Sequence, residues 1–242
     1  MTDRGRTALR QSRDSFTVGP SALHWRGDRL EIEVNERGAP PLFGRLQGRI
    51  VLTPDALSGV ELPLTPGGTH IWRPFAPSCE IDVALDACGW QWQGHGYFDA
   101  NFGTRALEQD FGYWSWGRFP VTGGTTCFYD ARRLDGSRIG AAVHFDRTGT
   151  AQTIEAPPMA HLPRTIWALR RETRADPGHR PRQVLPMLDA PFYCRSAVTT
   201  RIGGETTTGV HEALDLRRFR RPWLKPMLAL RVPRRAGWQF QD

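Results

Sequence analysis

Residues 29–34, RLEIEV, set Leu30, Ile32 and Val34 against Arg29, Glu31 and Glu33 in strict alternation. A period of two puts the aliphatics on one face of an extended chain and the charges on the other, which predicts a half-buried β-strand. Residues 81–85 repeat the pattern, with Ile81, Val83 and Leu85 separated by Asp82 and Ala84. Further strands are expected over 49–53, 125–131, 140–145, 165–172 and 197–202. Turn-forming clusters lie between them at 65–68 (TPGG), 122–124 (TGG), 134–136 (LDG) and 176–178 (DPG). Only 103–110 (GTRALEQD) and 212–220 carry helix formers bounded by glycine or proline, enough for a helical turn or two. Many short strands punctuated by 25 glycines and 19 prolines imply an all-β chain of the sandwich or barrel kind. A strand-rich run begins at Phe111 after the short helical stretch, so a domain change is expected near Asp110, dividing 1–109 from 110–242.

Composition narrows the function classes. With 39% hydrophobic and 24% charged residues the chain has ordinary soluble proportions, and no window approaches the roughly 20 apolar residues of a spanning helix. The opening residues, MTDRGRTALRQSRDSF, lack the apolar core of a secretory signal, so a cytoplasmic protein is expected, with any lipid contact peripheral. A net charge of +7 would suit nucleic acid, but Lys225 is the single lysine among 32 basic residues and the arginines are scattered among 25 acids. No helical or zinc-based reading module accompanies the charge, and no nucleic-acid partner is expected. Cys79, Cys88, Cys127 and Cys194 show neither CxxC pairing nor disulfide-scaffold density, and are expected to be reduced and partly buried thiols.

The candidate chemistry lies in 94–103, GHGYFDANFG, inside an aromatic-rich region. Trp72, Phe75, Trp90, Trp92, Tyr97, Phe98, Phe102, Phe111, Tyr113, Trp114, Trp116 and Phe119 fall there, as a core or as the lining of a cavity for a large apolar ligand. On one strand over 90–101, Trp90 and Trp92 share a face, opposite Gln91, Gln93, His95, Tyr97, Asp99 and Asn101. Gly94, Gly96 and Gly103 mark close approach of a backbone or ligand. His70 and Trp72 repeat the alternation on a second candidate strand. Asp99, flanked by Phe98, Ala100 and Phe102, is the candidate acid: apolar surroundings disfavour the carboxylate, raise the pKa and keep a proton available near neutrality. A metal site of His70, His95 and Asp99 would instead imply a hydrolase, but there is no HExxH, GxGxxG or GxSxG motif, and neither metal nor cofactor is expected.

The run GHGYFDANFGTRALEQDF, with THIWRPFAP before it and WSWGRFPVTGGTTCFYDARRLDG and LDAPFYCRSAV after it, resembles the bacterial acyclic carotenoid 1,2-hydratases, or hydroxyneurosporene synthases. The resemblance covers nearly the whole chain. It implies two lipocalin-like (calycin-type) β-barrel domains and, since members usually carry a further stretch ahead of the position matching Met1, a first domain short of an N-terminal strand. It further implies cofactor-free hydration of the terminal C1=C2 bond of an acyclic carotenoid such as neurosporene or lycopene, in the spheroidene or spirilloxanthin branch of a phototroph. Asp99 would then protonate the alkene, Trp72 and Tyr97 would face the resulting cation, and His70 would hold the water. His95 is a second candidate for that water, and Asn101, Trp90, Trp114 and Trp116 would contact substrate. The C-terminal run RRFRRPWLKPMLALRVPRR pairs basic residues with Trp223, Leu224, Met227 and Leu228, as a peripheral membrane surface requires. A carotenoid carrier without chemistry, and a cyclase or isomerase with the same cavity, are the competing expectations.

Overall fold

The structure is a computed structural model and describes residues 5–37, 44–86 and 89–224. In chain order its strands are β1 (Leu9–Gln11), β2 (Ser15–Val18), β3 (Ser21–Arg26), β4 (Arg29–Arg37), β5 (Arg45–Pro54), β6 (Leu62–Pro63), β7 (His70–Leu85) and β8 (Trp90–Gly103). After the one-turn helix α1 (Leu107–Asp110) come β9 (Phe111–Val121), β10 (Gly124–Arg133), β11 (Arg138–Asp146), β12 (Ala151–Thr153), β13 (Met159–Leu162) and β14 (Arg171–Arg174). The order ends with β15 (Arg182–Asp189), β16 (Tyr193–Ile202), β17 (Glu205–Leu214) and the second short helix, α2 (Leu216–Phe219). The chain is therefore all-β, as the alternating segments require.

Two compact units divide the chain, one built from 1–55, 79–97 and 222–242, the other from 56–78 and 98–221. In the first, β1 to β5 form an antiparallel meander, and β5 pairs with residues 79–85 of β7. The alternation of RLEIEV emerges as β4, where Leu30 is buried and pairs with buried Leu52 of β5.

In the second unit a seven-stranded antiparallel sheet runs in the open order β12-β11-β10-β9-β17-β16-β15, beside the β13–β14 hairpin. The β16–β17 hairpin closes on Gly203 and Gly204, both at positive φ, where glycine carries no Cβ penalty. The Asp176 carboxylate accepts both their N–H groups, at 2.9 and 2.7 Å. Strands β9 and β10 lie centrally and are buried on both faces, so neither alternates cleanly. One face holds Phe119, Phe128, Ala142, Leu162, Val198 and Ile202. The opposite face carries Trp114, Trp116 and Tyr129.

Three sequence expectations change. A strand over 165–172 does not form until Arg171: Ala168 adopts φ 55°, and the Thr165 hydroxyl accepts the N–H groups of Trp167 and Leu169, closing a turn that local β-propensity does not register. The helix expected over 212–220 starts only after β17 ends, where Asp215 caps α2 by accepting the Arg218 N–H. That expected over 103–110 shrinks to α1, because β8 continues through Gly103. Cys79, Cys127 and Cys194 are buried. Cys88, Met227 and Leu228 lie outside the described residues.

Candidate active site

The site is built on the second unit's parts of β7 and β8. Alternation along β7 buries His70 and Trp72 on a common face, with Trp72 only 1% exposed. The Trp72 indole N–H donates to Oδ2 of Asp99 at 2.8 Å. An indole can only donate, so this bond orients the carboxyl and engages one oxygen as acceptor, leaving Oδ1 to carry the proton of the acid form. Burial raises the Asp99 pKa, against the smaller opposing effects of the Trp72 bond and the Arg195 charge. Phe98, the preceding residue, turns the other way and stacks on Phe75 at 5.4 Å. Trp72 packs edge-on to Trp116 at 6.4 Å and against Tyr129 at 5.8 Å, while Tyr129 stacks on Trp114 at 5.8 Å. Asp99 is thus bonded to an aromatic cluster supplied by β7, β9 and β10.

His70, 3% exposed, bonds through Nε2 to Oδ2 of Asp110 at 2.7 Å, and its ring meets Phe111 at 5.2 Å. Arg105 holds the other Asp110 oxygen at 3.2 Å. The Asp110 bond fixes the orientation of the His70 ring and leaves Nδ1 outside it. Asp110 was not among the residues expected for the site. It sits in the quoted string GTRALEQDF, but a pairing across 40 positions leaves no mark on periodicity.

The carotenoid hydratase CrtC family model matches residues 1–241, the whole chain but its last residue. The chain belongs to this family. It is 60% identical over 240 residues to the acyclic carotenoid 1,2-hydratase of Cereibacter sphaeroides, covering 99% of this chain and 86% of that protein. The protein of the same name from Rhodobacter capsulatus is 59% identical over 243 residues, again 86% of its length. That of Thiocapsa roseopersicina is 42% identical over 238 residues, and there this chain spans 58% of the relative. Among solved structures, the crystal structure of CghA with Sch210972 aligns at a TM-score of 0.45 and 9% identity, over 86% of this chain and 69% of that one, too remote to bear on the site.

For this hydratase family member the remaining expected residues distribute as follows. Trp114 and Trp116 join the aromatic cluster around Trp72 and Tyr129. Asn101 is exposed near the end of β8. Trp90, His95 and Tyr97 belong to the first unit, with Trp90 59% exposed, His95 exposed and Tyr97 half-buried. The glycine reading finds its atoms: a Cβ on Gly103 would meet the Thr69 carbonyl oxygen at 2.1 Å, one on Gly96 the Ile81 side chain at 3.2 Å, and Gly94 lies under the Trp92 ring. Among the described residues no three His, Cys, Asp or Glu are gathered to hold a metal ion.

Sequence reasoning missed a polar row beside the aromatics. Register places Tyr129 of β10, Trp116 of β9, Glu212 of β17 and Arg195 of β16 side by side, so these four side chains share one sheet face. Burial raises the Glu212 pKa too, and pushes the Cys127 thiol up to about 12, which leaves it inert.

Proposed function

We propose that this chain adds water across the terminal C1=C2 double bond of acyclic carotenoids, neurosporene and lycopene among them, to give 1-hydroxy carotenoids, with Asp99 as the general acid. The observation that carries the reading is the Trp72–Asp99 bond: a half-buried carboxyl with raised pKa, aimed by an indole and set against aromatic rings. Its relatives' name, acyclic carotenoid 1,2-hydratase, supplies the substrate class.

An isolated trisubstituted alkene is a very weak base, so protonation at C2 is the hard step and needs a carboxyl that has kept its proton. The proton passes from Asp99 Oδ1 to C2, and C1 becomes a tertiary cation. Electron-rich ring faces, from Trp72 with Tyr97, stabilise such a cation by about 2 kcal/mol or more where water is excluded. A water held by His70 adds its oxygen to C1 while His70, steadied by Asp110, takes the released proton. The cycle closes when that proton returns to the Asp99 carboxylate, leaving a tertiary alcohol and an unchanged enzyme. His95, Asn101, Trp90, Trp114 and Trp116 complete the proposed substrate contacts.

A lipocalin-like character for two β domains belongs to the same reading, supported by the antiparallel pairing of successive strands in both units. So does peripheral attachment to the cytoplasmic face of the inner membrane, where the substrate resides. No helix among the described residues is long and apolar enough to cross a membrane. Trp223 is 61% exposed beside exposed Arg220 and Arg221, a pairing suited to an anionic lipid surface. The test is incubation of the protein with lycopene in detergent or membranes, followed by chromatography. Wild type should yield the hydroxylated product and Asp99→Asn should lose at least about 10²-fold in rate. Unaltered carotene from both would make the protein a carrier, and a cyclised or isomerised product would assign a different reaction. Full activity of the variant would remove Asp99 as the acid.

A further inference from the structure

The Tyr129–Trp116–Glu212–Arg195 row has a polar end that the hydration mechanism does not use. Arg195 Nε lies 3.4 Å from Glu212 Oε1 on the neighbouring strand, and Glu212 is directly opposite Trp116, the ring on which Trp72 packs edge-on. Trp72 in turn holds Asp99. A half-buried guanidinium and a second half-buried carboxyl therefore stand one aromatic layer from the acid, the Arg195 charge lowering the Asp99 pKa and an Asp99 charge raising that of Glu212.

Charge balance decides what such a trio does. One guanidinium can balance one carboxylate, and a second negative charge in the same half-buried space would stay uncompensated. Arg195 is in ion-pair contact with Glu212, whereas Asp99 takes a neutral indole donor. We infer that Glu212 and Arg195 are positioning residues for the hydration step, an ion pair that keeps the proton on Asp99 by neutralising a cation that would otherwise draw it off. This rests on the reading of Asp99 as general acid. The other groups around the acid stay uncharged at working pH or are engaged elsewhere. From β10 come Tyr129 and Cys127, both held neutral by burial. From β16 comes Tyr193, hydrogen-bonded to Glu212. From β9 comes Arg118, which donates to the Pro77 carbonyl and the Thr125 hydroxyl.

The signs follow. Asp99 is active when protonated, so the rate falls as pH rises through its pKa, giving an alkaline limb. In Glu212→Gln the Arg195 charge is unopposed, the Asp99 carboxylate is favoured, and the limb moves to lower pH. A shift of about one unit makes the rate about tenfold lower on the alkaline side, with KM little changed. In Arg195→Met the cation is gone and the limb moves to higher pH. The double variant carries neither charge and returns towards the wild-type limb.

The experiment is the pH dependence of lycopene hydration by wild type, the two single variants and the double variant, with thermal melting to establish folding. Opposite shifts with recovery in the double variant support the pair. A Glu212→Gln limb that stays put or moves up overturns it, as does a double variant that keeps the Glu212→Gln shift. If Glu212→Gln does not fold, Arg195→Met decides alone: an upward limb supports the pair, and an unmoved or lowered one overturns it. Wild type without hydratase activity, or an active Asp99→Asn, would instead sink the underlying assignment, so the two failures separate.

Discussion

Trp72 does two jobs that separate on substitution. Its N–H orients Asp99, and that bond also lowers the pKa that burial raises. Trp72→Phe keeps an aromatic ring and deletes the donor. The carboxyl is then free to rotate, so kcat should fall about tenfold or more, and the alkaline limb should move up because a stabiliser of the carboxylate is lost. A pH–rate profile reads both effects at once, and a limb that moved down would contradict this account of Asp99. Asp110→Asn tests the His70 side. The carboxamide no longer fixes the ring's orientation as the carboxylate does, and kcat should drop on the order of 10²-fold with KM nearly unchanged in steady-state kinetics. At this scale the sequence was partly legible. Alternation put His70 and Trp72 on one face of β7, and the Trp72–Asp99 bond joins two strands that were expected from the sequence. Asp110, Glu212 and Arg195 were silent, because their partners come from other strands and register between distant segments is not written in any one of them.

At the level of the elements, β7 and β8 hold the site, and a glycine marks how closely they approach. A Cβ on Gly103 would sit 2.1 Å from the Thr69 carbonyl oxygen and 3.2 Å from the His70 Cα, backbone atoms that cannot swing aside. Gly103→Ala should therefore cost about 1–3 kcal/mol, on the order of 2–10 °C in Tm for a chain of this size. Activity should fall with it, since the displaced end of β8 lies four residues from Asp99. Gly59→Ala is the control: nothing lies within 4 Å of its Cβ position, and both Tm and rate should hold. Gly103 was legible as a close-approach glycine because β8 was legible as a strand. The turn at 165–168 was not, since Thr165, Ile166 and Trp167 are all good strand formers and the turn is made by Thr165 hydroxyl bonds and the positive φ of Ala168.

Titration of buried groups sets how the stability of the whole molecule depends on pH. On the acid side the decisive group is His211, buried on the sheet face opposite the site row, its Nε2 donating to the Glu172 carbonyl. Burial, helped by the Arg171 charge, lowers its pKa from 6.5 to about 4. The unfolded chain takes up a proton below pH 6.5 that the folded chain refuses until about pH 4, so this contribution is present above 6.5 and is lost as pH falls through that window. Its full size is about 3 kcal/mol. Asp99 and Glu212 act with the other sign. Their raised pKa values give stability that is present at low pH and lost as pH rises through the folded values, and the proton that Asp99 donates in the proposed mechanism leaves over the same interval. His211→Gln should separate the two limits. Its Tm, measured from pH 4 to 8, should lie below wild type near neutrality and lose most of the acid-side slope, while the alkaline limb of the rate profile stays where it was. A variant that kept the full acid slope would move the origin of that slope away from His211.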